Sequence, residues 1–147
     1  MLISKLKAMP AFRADAPPQI RHAIALFAIV WLVELGYVAL FLTISFRGLD
    51  EVPAAKIALA RQGFIAVTLV QAFWLFLNAS LIVGLCQRQK LARMLELSLT
   101  LVTTIAFLAA AFPFRVDLLE VAFFANAIAT VLIYSSACSR WFQGVAS

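Results

Sequence analysis

AIALFAIVWLVELGYVALFLTISF, residues 23–46, decides the fold: it carries a single charged side chain, Glu34, near its centre. At about 1.5 Å per residue, some 20 apolar residues cross a hydrocarbon core, so this stretch predicts a transmembrane helix. A carboxylate at that depth costs roughly 2.5–3.5 kcal/mol or more to insert, and it therefore needs a partner, a proton or a water-filled cavity. The rest of the chain is expected to supply three further helices that hide it.

Composition supports this reading. The 147 residues are 65% hydrophobic and 13% charged, with mean hydropathy +1.01. Soluble domains carry about 25% charged residues, so no second, soluble domain is expected. The net charge of +5 would suggest nucleic acid in a soluble chain. Here the cations stand at the ends of apolar spans, where orientation signals and anionic headgroup contacts belong, and no nucleic-acid partner is expected.

Residues 1–19 contain Pro10, Pro17 and Pro18 and read as a solvated cytoplasmic tail with no secretory signal. Four helices are expected at about 20–46, 63–86, 91–112 and 117–138, within a membrane domain of residues 20–142, followed by a tail at 143–147. Between the first two lies the longest hydrophilic connection. Asp50 and Glu51 followed by Pro53 are helix-start chemistry, so the second helix is expected to begin near Pro53 and enter the bilayer near Gly63. Residues 62–87 carry no formal charge. Arg88, Lys90 and Arg93 make a basic turn before the third span, and Pro113, Arg115 and Asp117 a short turn before the fourth. Arg140, Trp141 and Phe142 read as an interfacial anchor.

Lys5, Lys7, Arg13, Arg21, Arg88, Lys90, Arg93 and Arg140 fall on one side of this arrangement. Arg47, Lys56, Arg61 and Arg115 fall on the other. The excess places both termini in the cytoplasm. The fold class predicted is all-α: a four-helix transmembrane bundle, multi-pass in the cell inner (plasma) membrane. No span has an interior proline, which argues against transporter designs built on interrupted helices.

Each span carries polar residues near mid-depth. Thr68, Gln71 and Asn78 share one face of the second, Glu96, Thr100, Thr103 and Thr104 one face of the third, and Asn126, Thr130 and Tyr134 one face of the fourth. The expected intramembrane polar cluster is Glu34, Gln71, Asn78, Thr103, Thr104, Asn126 and Thr130. Lipid cannot satisfy these groups, so they are expected to turn inward and bond to one another. Protonated, Glu34 is expected to donate to Gln71, Asn78 or Asn126. Three readings of Glu34 stand side by side: interhelical glue, a group that titrates during function, or a self-association contact. Glu96 is expected to pair with Arg93 near the cytoplasmic boundary, both snorkelling. Small-residue spacings at Ala106 and Ala110, at Ala122, Ala125 and Ala129, and at Ser80 and Gly84 mark candidate packing faces. Arg88, Lys90, Arg93 and Arg140 form the expected cytoplasmic basic anchor.

Catalytic motifs are lacking. A sole histidine, His22, excludes a two-histidine haem site within the chain, and Cys86 and Cys138 form no CxxC. There is no HExxH, phosphate-cradling glycine loop or nucleophile elbow. No enzyme activity, cofactor or metal is expected. The expected partners are the lipid bilayer and a second copy or another membrane subunit.

The stretch GLCQRQKLARML resembles a segment of small uncharacterised four-helix inner-membrane proteins of bacteria, through Gly84, Leu85, Arg88, Lys90, Ala92 and Arg93. That resemblance covers the central third of the chain, implies the four-span architecture and carries no activity. Glu34 in WLVELGY also resembles, in type, the first-helix glutamate of small multidrug resistance transporters, which binds protons or cationic substrate. The long charged first connection and the lack of a glycine-rich kink in the third span depart from that family. An accessory or interaction protein is thus the leading expectation, and a small proton-coupled transporter built on Glu34 the alternative.

Overall fold

The computed structural model describes residues 9–13, 16–110 and 118–144. The expected turn at Pro113, Arg115 and Asp117 lies outside the described residues, as do most of the two tails. Among the described residues the chain is helical nearly throughout, with no strand. Five α-helices follow in order: α1 (Pro18–Gly48), α2 (Ile57–Cys86), α3 (Lys90–Ala110), α4 (Leu118–Ile133) and α5 (Ser136–Gln143).

The limits of α1 follow from its ends. Pro18 occupies the first turn, where no N–H is required, and Arg47 sits in the last turn against the negative end of the dipole. With 31 residues α1 is about 46 Å long. Single 3₁₀ turns at Leu49–Glu51 and Ala54–Lys56 carry the chain into α2, with extended Pro53 capping the second. The helical path thus starts next to Pro53 and becomes α-helical at Ile57.

Three helical segments are long and apolar enough to cross a membrane: Pro18–Glu51, Ala54–Cys86 and Lys90–Ala109. Within their most apolar stretches only 22%, 22% and 17% is buried by the chain itself. The remainder is left uncovered by the described residues.

The expected fourth helix, 117–138, is corrected. Helix α4 ends at Ile133, and α5 leaves it at a bend of 61°. The break is a cap. Ser135 is extended, its hydroxyl accepts from Cys138 N–H, and its carbonyl accepts from Ser139 N–H at 2.9 Å. Serine competes for backbone donors and favours such starts over helix interiors. With 16 residues α4 alone spans about 24 Å; α4 and α5 together meet the length and hydropathy of a span. Gly144 closes α5 in the left-handed region at φ +84, a position that favours glycine.

The chain divides into two compact units. One is Trp31–Ala79; the other comprises the described residues up to Val30 and from Ser80 on. In the second unit α3 packs along α4. The Phe107 and Phe123 rings stack at 4.4 Å, and Phe124 meets both edge-on. Ala92, Glu96 and Thr100, one turn apart, form the buried face of α3, and Ala129, Thr130 and Ile133 that of α4. Of the small residues expected at interfaces, Gly84 and Ala129 are buried, whereas Ala106 faces outward. The N-terminal segment is also corrected where it is described. Ala11 is fully buried and Ala16 nearly so, and Arg21 donates to the Arg13 carbonyl at 2.6 Å. This stretch is packed in part, with Phe12 and Arg13 exposed between the two buried alanines.

Candidate functional site

The polar residues expected to form one intramembrane cluster are found in local sets. In the α3–α4 pair the Thr100 and Thr130 hydroxyls share a buried hydrogen bond of 2.8 Å, and Asn126 Nδ2 approaches Thr100 Oγ1 at 3.4 Å. The second contact is long and correspondingly weak. Thr103 and Thr104 do not join them. Each donates back into its own helix, Thr103 to the carbonyls of Leu99 and Thr100 and Thr104 to that of Thr100. A threonine hydroxyl needs no neighbouring helix when a carbonyl one turn earlier is in reach. The hub is therefore Thr100, which shares the polar face by spacing and is the central residue of α3, with Thr103 and Thr104 a turn beyond it.

The bond between helices has a measurable worth. Thr100→Val and Thr130→Val, alone and together, are expected to show a coupling of about 0.6–2 kcal/mol. Unfolding of the four proteins of this cycle in mixed micelles measures it; strict additivity would mean that the bond contributes nothing.

Within Trp31–Ala79, Trp31 Nε1 donates to the Leu75 carbonyl at 2.9 Å. Asn78 and Thr68 donate to Trp74 and Phe64 one turn back in their own helix. Glu34 and Gln71 are half-buried, and no hydrogen bond within this unit joins Glu34 to Gln71 or Asn78. The bond from Glu34 to either is thus not formed. A hydrogen bond between the helices is supplied instead by the Trp31 indole N–H.

A third set surrounds the basic turn. Helix α2 ends in a Schellman motif: Gln89 N–H bonds Gly84 O at 2.9 Å, and Arg88 N–H bonds Leu85 O at 3.0 Å. Arg88 takes the left-handed position, φ 65, at a steric cost of roughly 1–2 kcal/mol for a residue with a Cβ. A Cβ on Gly84 would stand 2.7 Å from that of Ala92, so α2 and α3 meet here at backbone range. Arg93, on α3, reaches the C-terminal helix. Its guanidinium donates to Ser139 Oγ at 2.7 Å and lies over the rings of Tyr134, at 4.1 Å, and Phe142, at 5.1 Å. The Tyr134 hydroxyl returns a bond to the Arg93 carbonyl. Arg88 lies over Trp141 at 5.2 Å. Lys90 and Arg140 are exposed.

Two of the four cations read as a membrane anchor are therefore engaged inside the protein, fastening α5 across the turn. Trp141 and Phe142 face inward for the same reason: both are buried. Glu96, expected to snorkel, is instead buried at 4% exposed, on the same face of α3 as Ala92 and Thr100. Ser135, Ser139 and Tyr134 were not singled out for this role; the S-x-x-C-S spacing is the sequence signal that could have found the cap. Cys86 and Cys138 are free and buried, and His22 is exposed. Among the described residues no group of three or more metal-ligating side chains comes together. No protein-family model, curated protein or solved structure matches the chain.

Proposed function

We propose that the protein is a multi-pass inner-membrane protein, a four-span helical bundle with both termini and the basic turn on the cytoplasmic side. It acts without catalysis, as an accessory or interaction protein whose lipid-facing helices bind another membrane subunit or a second copy. The observation that carries this reading is the self-burial of only about a fifth of each long apolar helix. Such surfaces are stable only against lipid or other helices. The use of Thr100, Thr130, Trp31 and Arg93 in structural bonds supports it, because these groups serve packing and no convergent reactive set is found among the described residues.

Native mass spectrometry of the gently extracted protein tests the proposal. A reproducible companion subunit, or a copy of the chain itself, is the expected result; a bare monomer counts against it. Reporter fusions at the two ends check orientation, and reports from opposite compartments overturn it.

One observation favours the second reading, a proton-coupled transporter: Glu34 sits half-buried in α1 without a hydrogen bond to Gln71 or Asn78. The two readings separate at one residue. Under the proposed function, Glu34→Gln leaves yield and assembly unchanged and moves no pH-linked property. A homodimer whose pH-dependent ligand binding disappears in Glu34→Gln would reverse the choice.

A further inference from the structure

The connection end of the hairpin Trp31–Ala79 holds a cleft beside the last turn of α1 and the first turns of α2. Its volume is about 330 Å³, at the lower end of the range of small-molecule sites. Phe46, Ile57, Phe64 and Ile65 give it apolar walls, and Asp50 and Arg61 give it two opposite charges. The Phe46 and Phe64 rings, 6.0 Å apart and tilted by 53°, meet across the two helices.

The order of these residues along the chain sets a polarity gradient. Asp50 stands about one turn nearer the connection than Phe46, and Arg61 about one turn nearer than Ile65. Of the apolar lining residues Leu49 and Ile57 lie at the connection end beside the two charges, and Phe46, Phe64 and Ile65 lie farther along the helices. The charged end therefore coincides with the hydrophilic connection, and the greasy end points toward the middle of both helices. That is the polarity of a lipid standing in one leaflet. Asp50 and Arg61 are both exposed, and no ion pair joins them. A purely anionic headgroup would set its charge against Asp50, whereas a headgroup bearing both phosphate and ammonium answers both side chains. The planar fork of arginine suits phosphate oxygens, and a carboxylate suits an ammonium.

We propose that this cleft binds one aminophospholipid, with the phosphate on Arg61, the ammonium on Asp50 and one acyl chain along Phe46, Phe64 and Ile65. The site rests on the reading that these helices span a membrane. On the other flank of Phe64 a second cleft of about 230 Å³, lined by Phe41, Gly63 and Val67 among others, has no charged wall. Space beside Gly63 is open, so Gly63→Leu occupies that flank and serves as the control.

The test is native mass spectrometry of the detergent-extracted protein offered equal amounts of phosphatidylethanolamine and phosphatidylglycerol with matched chains. One phosphatidylethanolamine per chain is expected to be retained in preference. Arg61→Gln and Asp50→Asn are each expected to weaken retention about three- to five-fold, the scale of one solvent-facing ion pair. Gly63→Leu should leave it unchanged. Equal retention of phosphatidylglycerol, indifference to both charge variants, or no adduct at all overturns the site. A chain that stays in solution without detergent defeats the membrane reading itself; a detergent-requiring chain without a selective adduct defeats only the lipid site.

Discussion

Gly84→Ala is expected to destabilise the detergent-solubilised protein by about 1–3 kcal/mol, the cost of overpacking a close contact. The added methyl would lie 2.7 Å from Ala92 Cβ and 3.1 Å from Gln89 Oε1. The Gln89 amide is the end of a flexible side chain and can turn away. Ala92 cannot, because its Cβ is fixed to the backbone of α3, so the helices must separate and the buried face of α3 follows. Arg88→Gly, four residues on, is the comparison. It relieves roughly 1–2 kcal/mol of left-handed strain and gives up the contact with Trp141, worth about 0.5–1 kcal/mol at an exposed site. The two terms nearly offset, and the variant should stay within about 1 kcal/mol of the parent. Thermal or detergent-titration midpoints of both proteins decide the matter. An unshifted midpoint for Gly84→Ala would show that the turn is looser than its geometry.

Arg93→Ala should cost about 3 kcal/mol and free the C-terminal helix. The guanidinium supplies a charged hydrogen bond to Ser139, a class worth about 1.5–3 kcal/mol, and two ring contacts of about 0.5–2 kcal/mol each. Against these stands Nε, buried without a partner, which carries a desolvation cost of about 1–3 kcal/mol. Arg93→Met keeps the stem and removes that orphaned donor, so it should lose only about half as much. Arg93→Lys keeps the charge but not the planar fork, and should resemble the alanine variant more than the parent. Hydrogen exchange over Ser136–Gln143 is the specific readout. Loss of protection there, with α3 still protected, distinguishes release of α5 from general unfolding; unchanged protection in Arg93→Ala would overturn its role as fastener.

How far the sequence reached depends on which force acted at each place. Long charge-free runs such as residues 62–87 announce themselves because a hydrocarbon core demands length and apolarity and little else. The helix start at Pro53 and the basic turn at Arg88 were legible for a similar reason, each being local chemistry, whereas Pro18 read as part of the tail and proved to open α1. The break at Ser135 was missed although it too is local, because the apolar run that precedes it outweighs two serines in any hydropathy reading. Direction was harder still. Arg88 and Arg93 count as cations toward the membrane whatever they touch, and only three-dimensional placement shows them over Trp141, Tyr134 and Phe142. The polar face of α3 was likewise visible as a repeat. Which of its threonines crosses to α4 depends on depth and approach: Thr100 sits where α4 presents Thr130, and Thr103 and Thr104 fall back on their own carbonyls.

On the membrane reading proposed above, the unequal helices bear on the film that would hold them. A rod of 31 residues overshoots a hydrocarbon layer of about 30 Å and answers by leaning, whereas one of 16 residues falls short and draws the layer in around itself. A bilayer of short-chained lipids accommodates that shorter rod with less distortion. Membranes thickened by longer chains or sterols would press on the α4–α5 elbow first, and there the protein should sense the thickness of its surroundings.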